Sequence, residues 1–349
     1  MVHSGLEPIA SDEITRDLGG DVKKAARGIV AFRVEEITPD ILRLRTTEDV
    51  FVLAWGSDSL TYRADDIDQI RRWTQKADWD RLLKIHHAIR PKPKSRPSYR
   101  LVTQMIGEHG YRRADAHKAL IQGASGIFPT SWREADDNAS VEIWLTIRGA
   151  QAVCGLRLSD RAMRHRRYKQ EHLPASLRPT IAAAMVRLAG AGPAMVVVDP
   201  MCGAGTILAE QLDLASARRL EGLKVLGGDI DGNALRAAAT NLKRFGSDRL
   251  CRWDATRLPL GNDSVDRIIC NPPFGRQLGT LDQIGPLYRL AIREFDRVLR
   301  PGGRAVLLVG EPEPLREAID AVEWSPQRKL TIRVQGLPAQ LSVWRKREA

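Results

Sequence analysis

Cysteine is scarce: four in 349 residues, at 154, 202, 251 and 270, with no Cys-x-x-Cys pair and no histidine at matching spacing. Neither a disulfide framework nor a zinc site is therefore expected, and no metal; a reduced, cytoplasmic protein is. No apolar run reaches the roughly 18 residues that a membrane span needs, so no membrane partner is expected. Met1 to Ala10 lacks a basic stretch followed by a long apolar core and does not read as a signal peptide. The glycine turn at Asp199–Thr206 lacks both Gly-Lys-Ser/Thr and the full G-x-G-x-x-G spacing, which argues against ATP or GTP.

Positive charge is what abounds. Lys and Arg number 54 against 43 Asp and Glu, a formal net charge of +11, and the partner such a surface suits is a polyanion, RNA or DNA first. The length allows two or three domains, each with its own core.

In chain order, residues 1–64 read as a small α+β unit. Leu6, Ile9, Ile14 and Leu18 recur at helical intervals and stop at Gly19-Gly20. RGIVAFRV, ILRLRT and VFVLAWG then read as three strands. Residues 65–158 read as helix, strand, helix, strand, strand: a helical period from Ala64 to Ala88, then YRLVTQMI, RRADAHKALIQGA, VEIWLTIRG and AVCGLRLS. Between the first two lies IRPKPKSRPSYR, where prolines forbid a regular helix and leave Lys92 and Lys94 on an extended arm able to meet phosphates. Residues 159–178 read as a basic linker in which Arg161, Arg164, Arg166, Arg167 and Lys169 surround His165 and Tyr168. Cations beside a ring that can stack suit single-stranded or loop RNA.

From residue 179 the pattern changes. An Ala-rich helix over 179–189 precedes the apolar runs MVVV, LKVLGGD, VDRIIC and RAVLLVG, separated by helical segments. Strand and helix in alternation predict a doubly wound α/β sheet, with the ligand at the carboxyl ends of its strands. Three acids stand at such ends: Asp199, Asp229 and Asp254. Gly203 and Gly205 allow close backbone approach and offer helix N-terminal amides for a carboxylate. Asp229 suits both hydroxyls of a ribose, and Asp254 an adenine amino group; together they predict bound S-adenosyl-L-methionine. Asn271-Pro272-Pro273-Phe274 closes the fourth strand. The Asn271 side-chain oxygen and the Pro272 carbonyl can accept both hydrogens of an exocyclic purine amine, pyramidalising a poor nucleophile, while Phe274 stacks on the base. Such chemistry is orientation and charge placement and needs no strong general base.

DPMCGAGT, GGDID, Asp254-Ala255 and NPPF together resemble the class I S-adenosylmethionine-dependent amino-methyltransferases. The resemblance implies a Rossmann-like α/β class I methyltransferase sheet, with Asp199, Cys202, Gly203, Ala204, Gly205, Thr206, Asp229, Ile230, Asp254, Ala255 and Asn271 around the cofactor. The first half resembles a ferredoxin-like segment followed by a THUMP domain, carried by GLEPIASDEI, SYRLVTQMIGEHGYRRADAHKAL, VEIWLTIRG and GLRLSDRAMRHRRYK. As a whole the chain is similar to the tRNA guanine-N2-methyltransferases that act at position 6 of the acceptor stem, which implies tRNA as partner and a THUMP domain that binds it. Two residues depart from the common pattern: Phe274 where Tyr is more usual, and Asn271 where relatives acting at position 10 carry Asp. The competing expectations are a 23S rRNA guanine-N2-methyltransferase and a DNA adenine-N6-methyltransferase. A monomer is favoured.

Overall fold

The structure, a computed structural model, describes residues 1–93, 96–174, 176–246, 249–275 and 281–348, of which only the backbone is described at 281 and 282. It divides into two compact units. Residues 34–44 and 49–163, with Met1, form one; residues 2–33, 45–48 and 164–348 form the other.

The chain opens with helix α1 (Glu7–Leu18), capped by Gly19 in the left-handed region at φ 63°. A hairpin of β1 (Asp21–Ala26) and β2 (Ile29–Arg33) follows. Its turn, Arg27-Gly28, has both central residues at positive φ (50° and 76°), the twist that tight hairpins require. Sequence reasoning missed β1 because DVKKAA holds one strong strand former. This opening segment belongs to the second unit: Leu6 and Ile9 enter a core cluster with Ile181, Met185 and Leu308.

The stretch ILRLRT, expected as a strand, is not one. Pro39–Arg43 is a 3-10 helix. Pro39 fixes φ near its start, and the three-residue step from Ile41 to Leu44 buries both side chains on one side of a single turn.

The first unit holds a five-stranded sheet in the order β3-β7-β6-β4-β5. Its strands and helices are β3 (Phe51–Ser57), α2 (Asp65–Lys76), α3 (Trp79–Ile89), β4 (Ser98–Ile106), α4 (Arg113–Gly123), β5 (Arg133–Glu134), β6 (Val141–Arg148) and β7 (Gln151–Arg157); the short helix α5 (Arg161–His165) spans the boundary at residue 164. Two expectations change here. The helical period over 64–88 is two helices, because Asp78 caps the second by accepting the Arg81 amide at 3.1 Å. And β3, placed with residues 1–64 from sequence, pairs antiparallel with β7, so residues 1–64 do not form one unit.

The second unit is built on a seven-stranded sheet in the order β10-β9-β8-β11-β12-β14-β13. Helix α6 (Pro179–Ala189) leads into β8 (Val196–Asp199), α7 (Thr206–Arg218), β9 (Lys224–Asp229), α8 (Gly232–Leu242), β10 (Leu250–Arg252) and β11 (Val265–Cys270). Helix α9 (Leu281–Val298), β12 (Leu299–Val309), α10 (Pro312–Asp320), β13 (Ser325–Val334) and β14 (Leu337–Arg345) complete it. Strands β8 to β12 run parallel, and β14 enters antiparallel beside β12. Both faces are covered, so the strand centres are apolar on both sides. Ile268, Cys270, Leu307 and Val309 meet α9 and α10 on one face; Ile269, Val306 and Leu308 meet α6 on the other. This is the expected doubly wound sheet, and it brings the ends of β8, β9 and β11 to one edge.

Candidate active site

The parallel order β9-β8-β11 places the turns after these three strands side by side. The first runs from Asp199 to Gly205, which takes φ 73° as it enters α7. Its backbone is laced to the end of β9: the Cys202 amide donates to the Gly228 carbonyl at 2.9 Å, and the Gly203 amide to Asp229 Oδ2 at 2.9 Å. The Asp231 amide donates to Asp229 Oδ1 at 3.0 Å. The expectation that the amides of Gly203 and Gly205 are open to a ligand carboxylate is therefore corrected, since Gly205 donates to the Cys202 carbonyl at 2.8 Å. What Gly203 does leave is room. A Cβ built there would meet nothing within 4 Å, at a φ of 50°.

Asp199 is 1% exposed. One of its oxygens accepts the Met201 amide at 3.4 Å; the other, Oδ2, is buried with no partner among the described residues. Burial pushes its carboxyl well above the usual range, the Met201 amide opposes that, and the nearby Asp229 charge adds to it. An unsatisfied buried acceptor is costly unless a donor or a positive charge arrives. Asp229 accepts one amide on each oxygen and keeps capacity for two more donors. Ile230, next along, is 64% exposed, a large apolar side chain beside a polar turn. Asp254 is exposed and accepts the amide and hydroxyl of Thr256, both at 2.8 Å, while Trp253 donates its indole hydrogen to the Pro200 carbonyl at 2.9 Å. Ala255 is buried beneath them. Unmet acceptors and an open glycine cradle at one strand edge fit a cationic ligand rich in hydroxyl and amino donors.

The turn after β11 is Asn271-Pro272-Pro273-Phe274. Asn271 Oδ1 is buried and accepts nothing from the described residues. Pro272 holds Asn271 to an extended backbone and brings no amide of its own to compete for it. Two residues that sequence reasoning missed set this turn. Tyr288, 2% exposed on α9, donates its hydroxyl to the Pro273 carbonyl at 2.8 Å. Gly310, just past β12, receives the Phe274 ring: a Cβ there would lie 2.9 Å from Phe274 Cδ2. Neither was legible, because Tyr288 falls in the apolar stripe Ile284-Tyr288-Ala291-Ile292-Phe295 and reads as core.

The basic residues divide. Arg166 is buried, donating to Glu210 at 3.2 Å and to the Arg45 carbonyl at 2.6 Å. Lys169 is buried with its ammonium on the Leu177 carbonyl, and burial lowers its pKa to about 8 against the pull of Glu210. Tyr168 is buried too, its hydroxyl 2.7 Å from Glu210. These three are internal to the second unit, so Arg166 and Lys169 are withdrawn as phosphate contacts and Tyr168 as a stacking ring. Arg164 is half-buried. Arg167, Lys92 and Arg161 are exposed, Arg161 pairing with Asp137 at 2.7 Å. Lys94 lies outside the described residues.

Residues 166–338 match the family described as the RMKL-like methyltransferase domain. This part of the chain is similar to that methyltransferase domain. Its start at 166, against 179 from sequence, agrees with the packing of residues 166–169 into the second unit. The chain is 29% identical to the tRNA (guanine(6)-N2)-methyltransferase of Thermus thermophilus, covering 91% of this chain and 90% of the relative. It is 32% identical to the bovine tRNA (guanine(6)-N(2))-methyltransferase THUMP3 over 60% of this chain, but spans only 43% of that protein. Among solved structures it superimposes on TrmN from Thermus thermophilus with a TM-score of 0.78 at 25% identity, covering 99% of this chain and 98% of that one.

Proposed function

We propose that the protein transfers a methyl group from S-adenosyl-L-methionine to the N2 amine of a guanosine in tRNA, at position 6 of the acceptor stem. The observation that carries this is Asn271 Oδ1, buried and without a partner among the described residues, in an Asn-Pro-Pro-Phe turn beside the Asp199–Asp229 edge. Support for the RNA comes from the relatives named above.

Asp229 would hold the ribose hydroxyls, Asp254 and Ala255 the adenine, and Ile230 its exposed apolar face; Cys202 to Thr206 would line the rest. The unsatisfied Asp199 oxygen would meet the positive end of the ligand. When bound, the cofactor supplies an electrophilic methyl group on a sulfonium. Asn271 Oδ1 and the Pro272 carbonyl accept the two amine hydrogens and aim the nitrogen lone pair. The Pro273 carbonyl, occupied by Tyr288, does not compete. Phe274, fixed against Gly310, offers a stacking edge to a base that has left its helix. One amine hydrogen leaves as a proton when the new N–C bond forms, and the amine acidifies enough for water to accept it.

The first unit, residues 34–44 and 49–163, would act as a THUMP domain, with Lys92 and Arg161 contacting phosphates without reading sequence; Arg167 is a further exposed cation, in the second unit. We place the protein in the cytoplasm.

Mass spectrometry of nucleosides from unmodified tRNA, incubated with S-adenosylmethionine and the wild type or Asn271→Ala, tests the reading. N2-methylguanosine made by the wild type and lost in the variant is expected. Methylation only in ribosomal RNA would overturn the substrate, and N6-methyladenine in DNA would overturn the reaction.

A further inference from the structure

Asn241, on α8, is 1% exposed and touches neither the acids at the strand ends nor the Asn-Pro-Pro-Phe turn in any described contact. Its side-chain oxygen accepts the amides of Gln170 at 2.8 Å and Glu171 at 2.9 Å. Its nitrogen donates to the Ala204 carbonyl at 2.9 Å and to the Glu171 carbonyl at 3.1 Å. A carboxamide has two acceptor sites and two hydrogens, so all four are used. The orientation is also unambiguous: a flipped amide would face two N–H groups with its own N–H and two carbonyls with its oxygen.

The partners belong to two different segments. Ala204 lies in the middle of the glycine turn, between Gly203, whose amide is held by Asp229, and Gly205. Gln170 and Glu171 belong to the segment by which the chain enters the methyltransferase domain. The same face of α8 also presses on the turn through Ala238, three residues earlier, which a Cβ at Gly205 would meet at 3.2 Å. Just upstream, Tyr168 and Arg166 fasten the entering segment to Glu210 on α7, the helix that the turn opens. Residues 166–171 therefore form a strap across the two helices that frame the turn, and Asn241 is where strap and turn share one side chain.

We infer that Asn241 is a positioning residue that makes the entering segment part of the cofactor turn, so that cofactor binding and ordering of residues 170–171 are coupled. This rests on the cofactor reading above. Coupling is reciprocal: whatever orders the strap tightens the cofactor, and the cofactor orders the strap.

The test is hydrogen exchange of peptides covering 166–172 and 200–206, with and without S-adenosylhomocysteine, together with calorimetric titration of that ligand. In the wild type the ligand slows exchange in both peptides. Asn241→Ala binds it at least tenfold more weakly, and protection of 166–172 on binding is lost. Asn241→Asp, which keeps the acceptor for both strap amides but has no hydrogen for the Ala204 and Glu171 carbonyls, also binds weakly. Ile319→Ala, a buried change on α10 that leaves the strap and Asn241 untouched, binds within twofold of the wild type.

Wild-type affinity in Asn241→Ala overturns the inference. So does a loss of affinity in all three variants that merely follows their loss of thermal stability. If the wild type does not bind S-adenosylhomocysteine, the cofactor reading fails by itself. The positioning role is then judged on ligand-free exchange, where Asn241→Ala must accelerate both peptides together; acceleration of neither, or of one alone, refutes it.

Discussion

Replacing Tyr288 with Phe removes one hydroxyl and leaves the ring in the cluster formed by Ile284, Ala291, Ile292 and Phe295. The hydroxyl donates to the Pro273 carbonyl at 2.8 Å, and burial keeps the phenol protonated by raising its pKa. Without it a carbonyl in a half-buried turn loses its partner, at a cost of roughly 1–3 kcal/mol. Part of that is recovered if the turn rotates to find water, and rotation moves Asn271 and the Pro272 carbonyl off the amine. A loss of about 1.4 kcal/mol in orientation lowers the rate about tenfold, and a displacement near 1 Å lowers it about a hundredfold. Tyr288→Phe should therefore reduce kcat by about ten- to a hundredfold in a methyl-transfer assay on tRNA. KM for RNA and affinity for S-adenosylhomocysteine should stay within about twofold, because Tyr288 contacts neither site. Exchange of the Phe274 and Gly275 amides should quicken. An unchanged kcat refutes the reasoning, and so does a fall in kcat matched by an equal loss of cofactor affinity, which would mean that the whole edge had collapsed.

Other outcomes follow from named contacts. Gly310→Ala puts a methyl 2.9 Å from the Phe274 ring, so the ring must shift; activity should fall at least about tenfold, and wild-type turnover would show that its seat against Gly310 is irrelevant. His86 is buried, and burial first, then His87 and Arg90, lower its pKa from 6.5 to about 4. The unfolded chain takes up this proton as pH falls through 6.5 while the folded one resists until about 4, so stability should decline over that window by on the order of 3 kcal/mol. Thermal melts of His86→Leu should show a flatter decline; an unaltered profile would mean that His86 is not the group responsible. Log affinity for tRNA should fall linearly with log salt, and Arg161→Ala with Arg167→Ala should reduce the slope. Arg166→Ala should instead lower the melting temperature, since its guanidinium is buried on Glu210; a reduced salt slope with no loss of stability would contradict that burial.

Much of the second unit was legible because its signals are local and repeat. Strand runs such as MVVV and VDRIIC carry apolar residues on both faces, and Asp199, Asp229 and Asn271 stand at their carboxyl ends, so alternation with helices was enough to predict a doubly wound sheet with these residues at the ligand edge; the strand order came from the structure. The first unit was less legible. Its five-stranded sheet takes β3 from a segment that reads as part of the preceding residues, and such non-local pairing leaves no mark in a short window.

Charge shows the division most clearly. The cluster Arg164, Arg166, Arg167 and Lys169 reads as a solvated basic patch, because sequence gives the charges but not their surroundings. Glu210 lies over forty residues downstream, and only the packing of α7 brings it to Arg166 and Tyr168. The sequence by itself determined which chemistry the protein can do, since acids at strand ends and an Asn-Pro-Pro turn are contiguous motifs whose backbone geometry is local. The tertiary structure alone decided which side chains hold that chemistry in place. Tyr288, Gly310 and Asn241 act through contacts with residues distant in the chain, and the energy of a buried hydrogen bond depends on what surrounds it, not on what precedes it.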